Sequence, residues 1–410
     1  MSGRPRRLVV VGNGLAAMRT IEELIELAPR SCDIVVFGAE PHDPYNRILL
    51  SPVLAGEKRA ADIVTHSPAW FTEHGVTLHT GDPVVEIDRA QRRVRSSRGV
   101  EVEYDRLLIA TGSTPVVLPV PGRDLPGVVT FRDLRDVDSM LAAAAKARPA
   151  VVIGGGLLGL EAAHGLARRG MKVTVVHLGD VLMNRQLDLH AATLLRRELE
   201  SRKLEFCMPA QTAAILGTQR VTGVRLADGR ELPADLVVMA TGVRPNVTLA
   251  EHAGLKCDRG ILVDDTLQTF DPSIYAVGEC VQHRNATYGL VAPLWDQARV
   301  CAAHLAERGV RRYLGSRLST HLKVSGIAVF SAGDYADGLH RESLILRDPR
   351  RGIYKRLVLE DNRIRGAVLY GDTRDGTWYF DLINEGRDVG SLRNQLLFGR
   401  PALAAAGGAR

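Results

Sequence analysis

Two glycine clusters stand where a chain can wrap a phosphate. Gly12-Asn13-Gly14 followed by Ala17, and Gly154-Gly155-Gly156 followed by Gly159, share one spacing. In such a turn the first glycine permits the tight bend and the second lets backbone approach a pyrophosphate. The third position takes a small residue so that the helix can pack on its strand. The helix that follows directs unpaired N–H groups and a positive dipole end at the anion. Each cluster therefore points to a bound dinucleotide. Glu40, 23 residues beyond Ala17, supplies a carboxylate for ribose hydroxyls. His177 closes the second unit, where an NADH-specific site carries an acid. A neutral imidazole can bond a ribose and a protonated one can attract a 2′-phosphate, so NADH and NADPH both stay open. The competing reading is that His177 merely caps a strand.

The elements that must hold these turns are legible around them. Leu8 to Val11 reads as a short apolar strand, and Leu15, Met18, Ile21, Leu24, Ile25 and Ala28 recur at helical spacing until Pro29 stops them. Ile34 to Phe37 supplies the next strand. The layout returns as Val151 to Ile153, a helix through Arg169 and a strand over Val173 to Val176. Each unit then closes, about 90 residues on, with a similar phrase: Leu107 to Ile109 before Ala110-Thr111-Gly112, and Val237 to Met239 before Ala240-Thr241-Gly242. An internal duplication follows. Ile274 to Val277 forms a short strand directly before Gly278 and Glu279. Beyond Leu314 the chain changes to alternating apolar runs, Leu322 to Phe330, Leu344 to Leu346, Tyr354 to Leu359 and Ile364 to Leu369, with a hairpin turn at Glu360-Asp361-Asn362 and a helix around Trp378 to Ile383. The Ala/Gly-rich residues 401–410 read as a flexible tail.

Composition narrows the class. The 410 residues suit two or three domains, and 45% hydrophobic with 24% charged residues is the balance of a globular chain. The net charge of +6 is spread over scattered arginines, a weak signal for nucleic acid and one equally suited to steering an acidic redox protein. Cys32, Cys207, Cys257, Cys280 and Cys301 form no CxxC or zinc-type pair, so no metal site is expected and a reducing compartment is. Arg6-Arg7 superficially resembles a twin-arginine signal, but the apolar run breaks at Gly12. No apolar stretch approaches the ~18 residues of a membrane span. A cytoplasmic protein without membrane contact is the expectation.

With Gly12 to Ala17, Ala110 to Gly112, Gly154 to Gly159, Ala240 to Gly242 and Tyr275 to Glu279 in this order, the chain resembles the FAD-dependent pyridine nucleotide oxidoreductase superfamily. The resemblance implies an α/β fold of two Rossmann-like dinucleotide-binding domains, glutathione-reductase-like, with a C-terminal α+β domain. Expected boundaries are 1–113 with 246–315 for FAD, 114–245 for NAD(P)H, 316–400 for the C-terminal interface domain and 401–410 for the tail. It places Gly12, Gly14, Ala17, Glu40, Arg47, Val85, Ala110, Thr111, Gly112, Arg132, Gly278, Glu279 and Trp295 at FAD. Gly154, Gly156, Gly159, His177 and Gly242 go to NAD(P)H, and Glu161 lines the hydride-transfer site. Glu279 stands where the superfamily usually has Asp, and Pro52 where ferredoxin-reductase-like relatives have Lys. For Arg132 and Trp295 solvent exposure and core packing compete with flavin contact, and an inert role is expected for Cys280.

Within the superfamily, Pro44 to Glu57, Tyr288 to Trp295, Leu322 to Gly326 and Phe330 to Asp334 resemble the flavin domain of assimilatory NAD(P)H nitrite reductase. Since that enzyme continues into cysteine-rich iron–sulfur and sirohaem regions, the chain is similar to the separate electron-transfer subunit of assimilatory nitrate or nitrite reductase. The resemblance implies no redox-active disulfide, because Asn46 to Pro52 occupies the place of the redox cysteines in disulfide reductases. The implied activity is NAD(P)H-dependent reduction of FAD and electron delivery to a protein with an iron–sulfur or other one-electron centre. The chain acts as monomer or homodimer. Two rivals remain: a rubredoxin or ferredoxin reductase serving an oxygenase, and a coenzyme-sensing binding protein like apoptosis-inducing factor, whose basic surface binds nucleic acid.

Overall fold

The computed structural model describes residues 5–146, 148–324 and 326–400. The expected tail, 401–410, lies outside them. Two five-stranded parallel sheets carry the glycine turns. The first runs in the order Ile274–Ala276, Arg106–Ile109, Arg6–Val11, Cys32–Phe37, Val76–His79. The second runs Glu205–Cys207, Val173–Val176, Ala150–Ile153, Leu236–Met239, Val128–Thr130. In both, the strand before the glycine turn is central and pairs with the strand after the helix and the strand of the closing phrase. Four consecutive buried residues in each central strand explain the unbroken apolar runs, since a parallel sheet is covered on both faces. Only the outer strand beside the closing phrase differs in origin. In the first sheet it comes late in the chain, at Ile274–Ala276, and in the second it comes early, at Val128–Thr130.

Each unit also carries a three-stranded antiparallel ribbon, 84–103 and 212–233, that the sequence reading did not separate. The strands are three to six residues long, and Glu101–Glu103 and Glu231–Pro233 bury no residue, so each run is too short for an apolar period to be read.

The C-terminal part is a five-stranded antiparallel sheet, Ser319–Val324, Ile327–Gly333, Arg363–Tyr370, Ile353–Glu360, Glu342–Asp348, covered by the Gly376–Glu385 helix. The run from Leu322 to Phe330, expected as one segment, is a hairpin. Val324 pairs with Ile327, and Gly326 at φ +85° makes the bend. The turn at Asp361 and Asn362 is as expected, both at positive φ between the paired Glu360 and Arg363.

The first sheet has a core of its own, and a second cluster bridges the other parts. It joins Val152, Leu160 and Val238 of the second unit to Leu50, Val53 and Leu54, and to Val329, Tyr354, Val368 and Tyr370 of the C-terminal sheet. Polar groups pin the same seam. Asp188 accepts hydrogen bonds from the Ala191 N–H (2.9 Å), capping the Leu189–Ser201 helix, and from Tyr354 Oη (2.7 Å) and Arg356 Nη1 (3.3 Å).

Candidate functional site

The two turns are built alike. Gly12 at φ +110° and Gly154 at φ +125° lie so close to the closing phrases that a Cβ would meet the Ala110 oxygen at 2.3 Å and the Ala240 oxygen at 2.2 Å. A side chain at either is therefore excluded twice, by conformation and by contact. Gly159 is packed as tightly, its hypothetical Cβ 1.9 Å from the Gly154 oxygen, and Ala17 is buried at the matching place. Gly14 and Gly156, by contrast, are N-caps with no side-chain partner, and a Cβ there meets nothing within 4 Å. Each turn thus ends in uncapped helix N–H groups facing open space, the arrangement a pyrophosphate requires.

Around the first turn two carboxylates are held in place. Glu40 accepts from Tyr45 Oη at 2.7 Å and forms an ion pair with Arg47. Glu279 accepts from Ser113 Oγ at 2.6 Å and pairs with Arg132. The two sets join where Arg47 Nη1 donates to the Arg132 carbonyl at 3.1 Å. Glu279, in the place of the usual Asp, thus has two partners within the chain. Gly278, at φ +95°, approaches the start of the first helix, where its Cβ would lie 3.1 Å from that of Ala16; its N–H donates to Gln297 Oε1 at 2.7 Å. Thr111 and Asn246 exchange two bonds of 2.9 Å, fastening the first closing phrase beyond Gly112. Trp295, half-buried, has the Arg19 guanidinium 5.9 Å from its ring centroid. Val85 is 46% exposed on a bulge of the 84–103 ribbon, whose approach is tied to the strand end beside the turn by the Asp82 N–H bond to the Gly38 carbonyl (3.0 Å).

At the second turn, Gly242 at φ +118° leaves open space opposite Gly156. His177 is engaged on both sides of its ring, with Nδ1 3.2 Å from the Gly155 nitrogen and Nε2 3.1 Å from the Val181 oxygen.

Glu161 projects from the Leu157–Arg168 helix toward the short Leu50–Ala55 helix, where Ser51 Oγ donates to its carboxylate. The helices meet so closely that a Cβ on Gly165 would lie 2.8 Å from Leu54 Cγ. Arg169 Nε also donates to the Leu54 carbonyl at 2.8 Å. Burial without a cationic partner pushes the Glu161 carboxyl up to about 7, against the opposing pull of Ser51. Pro52, the departure noted in the sequence, supplies no charge, and the neighbouring Ser51 hydroxyl is the partner of the Glu161 carboxylate.

Sequence reading missed Ser51, Ser113, Tyr45 and Asn246. Tyr45 and Ser51 lie within the quoted Pro44 to Glu57 segment and Ser113 directly follows Gly112, the signals that could have found them. Cys280 is fully buried, its thiol 3.3 Å from the Val277 carbonyl and raised by desolvation, as an inert cysteine should be. Among the described residues no group of three or more His, Cys, Asp or Glu is arranged to hold a metal, and no helix is long and apolar enough to cross a membrane.

Residues 6–308 match the pyridine nucleotide-disulphide oxidoreductase family. The chain belongs to it. Residues 319–387 match the rubredoxin NAD+ reductase C-terminal domain. The chain is 48% identical to nitrite reductase [NAD(P)H] of Bacillus subtilis, covering 94% of this chain and 48% of that one. It is 44% identical to the assimilatory nitrate reductase electron transfer subunit of the same organism, covering 96% and 51%. The chain therefore spans about half the length of these curated relatives. A solved structure of the covalent putidaredoxin reductase–putidaredoxin complex is similar over all of both chains, with a TM-score of 0.87 at 25% identity. FAD and NAD(P)H are the cofactors, and the uncapped turns and acceptor carboxylates fit both.

Proposed function

We propose that this chain is an NAD(P)H-dependent FAD reductase that passes electrons to a redox protein of nitrate or nitrite assimilation. The observation that carries the reading is the pair of like-built glycine turns, each on its own parallel sheet and each ending in uncapped N–H groups. When both cofactors are bound, they supply hydride transfer from nicotinamide to flavin and one-electron delivery to an acceptor.

The residues' part is positioning. Gly12, Gly14 and Ala17 open the first helix to a pyrophosphate, and Glu40 and Glu279 present acceptors to sugar or ribitol hydroxyls. Arg47 and Arg132 orient those carboxylates. Ala110, Thr111, Gly112, Gly278, Trp295 and Val85 complete the FAD set. Gly154, Gly156, Gly159, His177 and Gly242 form the coenzyme set. Glu161, beside Ser51, holds a proton at the junction between the units. The FAD domain is residues 1–113 with 246–315, the NAD(P)H domain 114–245 and the interface domain 316–400, as monomer or homodimer. A cytoplasmic location belongs to the same reading, supported by the assimilatory relatives.

The partner carries an iron–sulfur or other one-electron centre. The names of the two Bacillus subtilis relatives support a nitrate- or nitrite-reducing partner. A rubredoxin or ferredoxin is the second reading, favoured by the match of residues 319–387. Anaerobic titration with NADH and NADPH should bleach the flavin. Adding a nitrate-reducing subunit or a rubredoxin then identifies the acceptor by the return of colour. Bound FAD that neither coenzyme bleaches would refute the reading.

A further inference from the structure

The two dinucleotide units close the gap between glycine turn and neighbouring strand from opposite sides. The Gly12 and Gly154 N–H groups donate to the Phe37 and Val176 carbonyls, each at 2.8 Å, so Gly38 and His177 occupy the same place in the two units. Their own N–H groups bond the last residue of the next strand, His79 and Cys207, at 2.7 and 3.0 Å. Asn13 and Gly155 are likewise the middle residues of the two turns. In the first unit the turn supplies the side chain, and a Cβ on Gly38 would lie 2.7 Å from Asn13 Cγ. In the second the strand end supplies it, and a Cβ on Gly155 would lie 2.7 Å from His177 Cγ. The strand end thus supplies in the second unit what the turn supplies in the first, with Leu182 Cδ2 packed equally close to Gly155, at 2.7 Å from the same Cβ position.

The second version adds two directed bonds. The Gly155 N–H can only donate, so His177 Nδ1 accepts and the proton sits on Nε2, which donates to the Val181 carbonyl. The ring is then neutral and both nitrogens are spent within the protein. The bond also engages the Gly155 N–H within the protein, while the helix after Gly156 begins without a side-chain cap. Loop 178–183 is tied to the same turn, since the Met183 N–H donates to the Gly155 carbonyl at 2.9 Å.

We propose that His177 is a positioning residue for NAD(P)H: its neutral ring clasps the second glycine turn through Gly155, and it makes no charge-based choice between NADH and NADPH. The proposal rests on the reading of this turn as the NAD(P)H site.

The test uses the FAD-loaded protein and measures Kd and steady-state constants for both coenzymes. His177→Phe keeps a ring in the gap and deletes the acceptor. KM and Kd should rise together by about tenfold for NADH and NADPH alike, the worth of one lost directed bond, with a much smaller change in kcat. His177→Asn restores an acceptor facing Gly155 and should stay within about threefold of wild type. A shift in the ratio of the two affinities in His177→Phe would show direct contact with the ribose end and overturn the proposal. Unchanged affinities would reduce His177 to a strand cap and overturn it equally. Should His177→Phe lose its flavin or melt early, His177→Asn decides alone: a tenfold loss refutes the clasp. Wild-type protein that binds neither coenzyme removes the underlying reading as well, whereas binding indifferent to position 177 removes only this one.

Discussion

Replacing Glu161 by Gln tests the electrostatics of the junction in isolation. The carboxyl rises from the ordinary 4.5 to about 7 because burial penalises its charge and no cation offsets that penalty. At about 1.36 kcal/mol per pKa unit, the folded protein is destabilised at high pH by about 3 kcal/mol, an order-of-magnitude value. The sign follows from proton binding. Below pH 4.5 folded and unfolded states both hold the proton and no penalty exists. As pH rises toward 7 the unfolded chain releases it first, and above 7 the full penalty applies. Gln keeps an acceptor for Ser51 and never ionises. In urea unfolding of the apoprotein, the stability gained by Glu161→Gln should be near zero at pH 4 and grow to about 3 kcal/mol at pH 8. A gain that is constant across this range, or absent at pH 8, would refute the reasoning.

Other perturbations separate folding from binding. Gly14→Ala and Gly156→Ala place a methyl in open space on an ordinary backbone, so apoprotein stability should move by less than about 1 kcal/mol. FAD content should collapse in the first and NAD(P)H affinity in the second, as absorbance and calorimetry would record. Gly165→Ala drives a methyl against Leu54 and should cost about 1–3 kcal/mol in urea unfolding, with slower flavin reduction as the helix bearing Glu161 is pushed from Ser51. Asp188→Ala removes a helix cap and a partner of the nearly buried Arg356. It should destabilise by about 2–4 kcal/mol, measured by the same unfolding.

The glycine turns were legible because their constraints are local: Gly12 and Gly154 need positive φ, and the apolar runs beside them are continuous for a doubly covered sheet. Repetition made the closing phrases readable, and the alanines opposite those glycines show why the phrase repeats. The carboxylate partners were not legible. Ser113 and Arg132 reach Glu279 across 166 and 147 residues, and Ser51 reaches Glu161 across 110, separations at which no periodicity survives. The 84–103 and 212–233 ribbons escaped because their strands are only three to six residues long, too short for their buried residues, such as Val94 and Val224, to set out a period. The hairpin inside Leu322 to Phe330 escaped because a single glycine at a bend interrupts nothing in an apolar run.

The late arrival of Ile274–Ala276 beside Arg106–Ile109 has a bearing on biogenesis. As the polypeptide emerges from the ribosome, the N-terminal half-site exists long before its missing edge and Glu279 have been synthesised. The nascent chain must first extend through residues 128–239, which build the whole second sheet. On the proposed reading flavin capture is thereby deferred until residues 274–279 are made, and a product cut short before them should leave the ribosome without pigment.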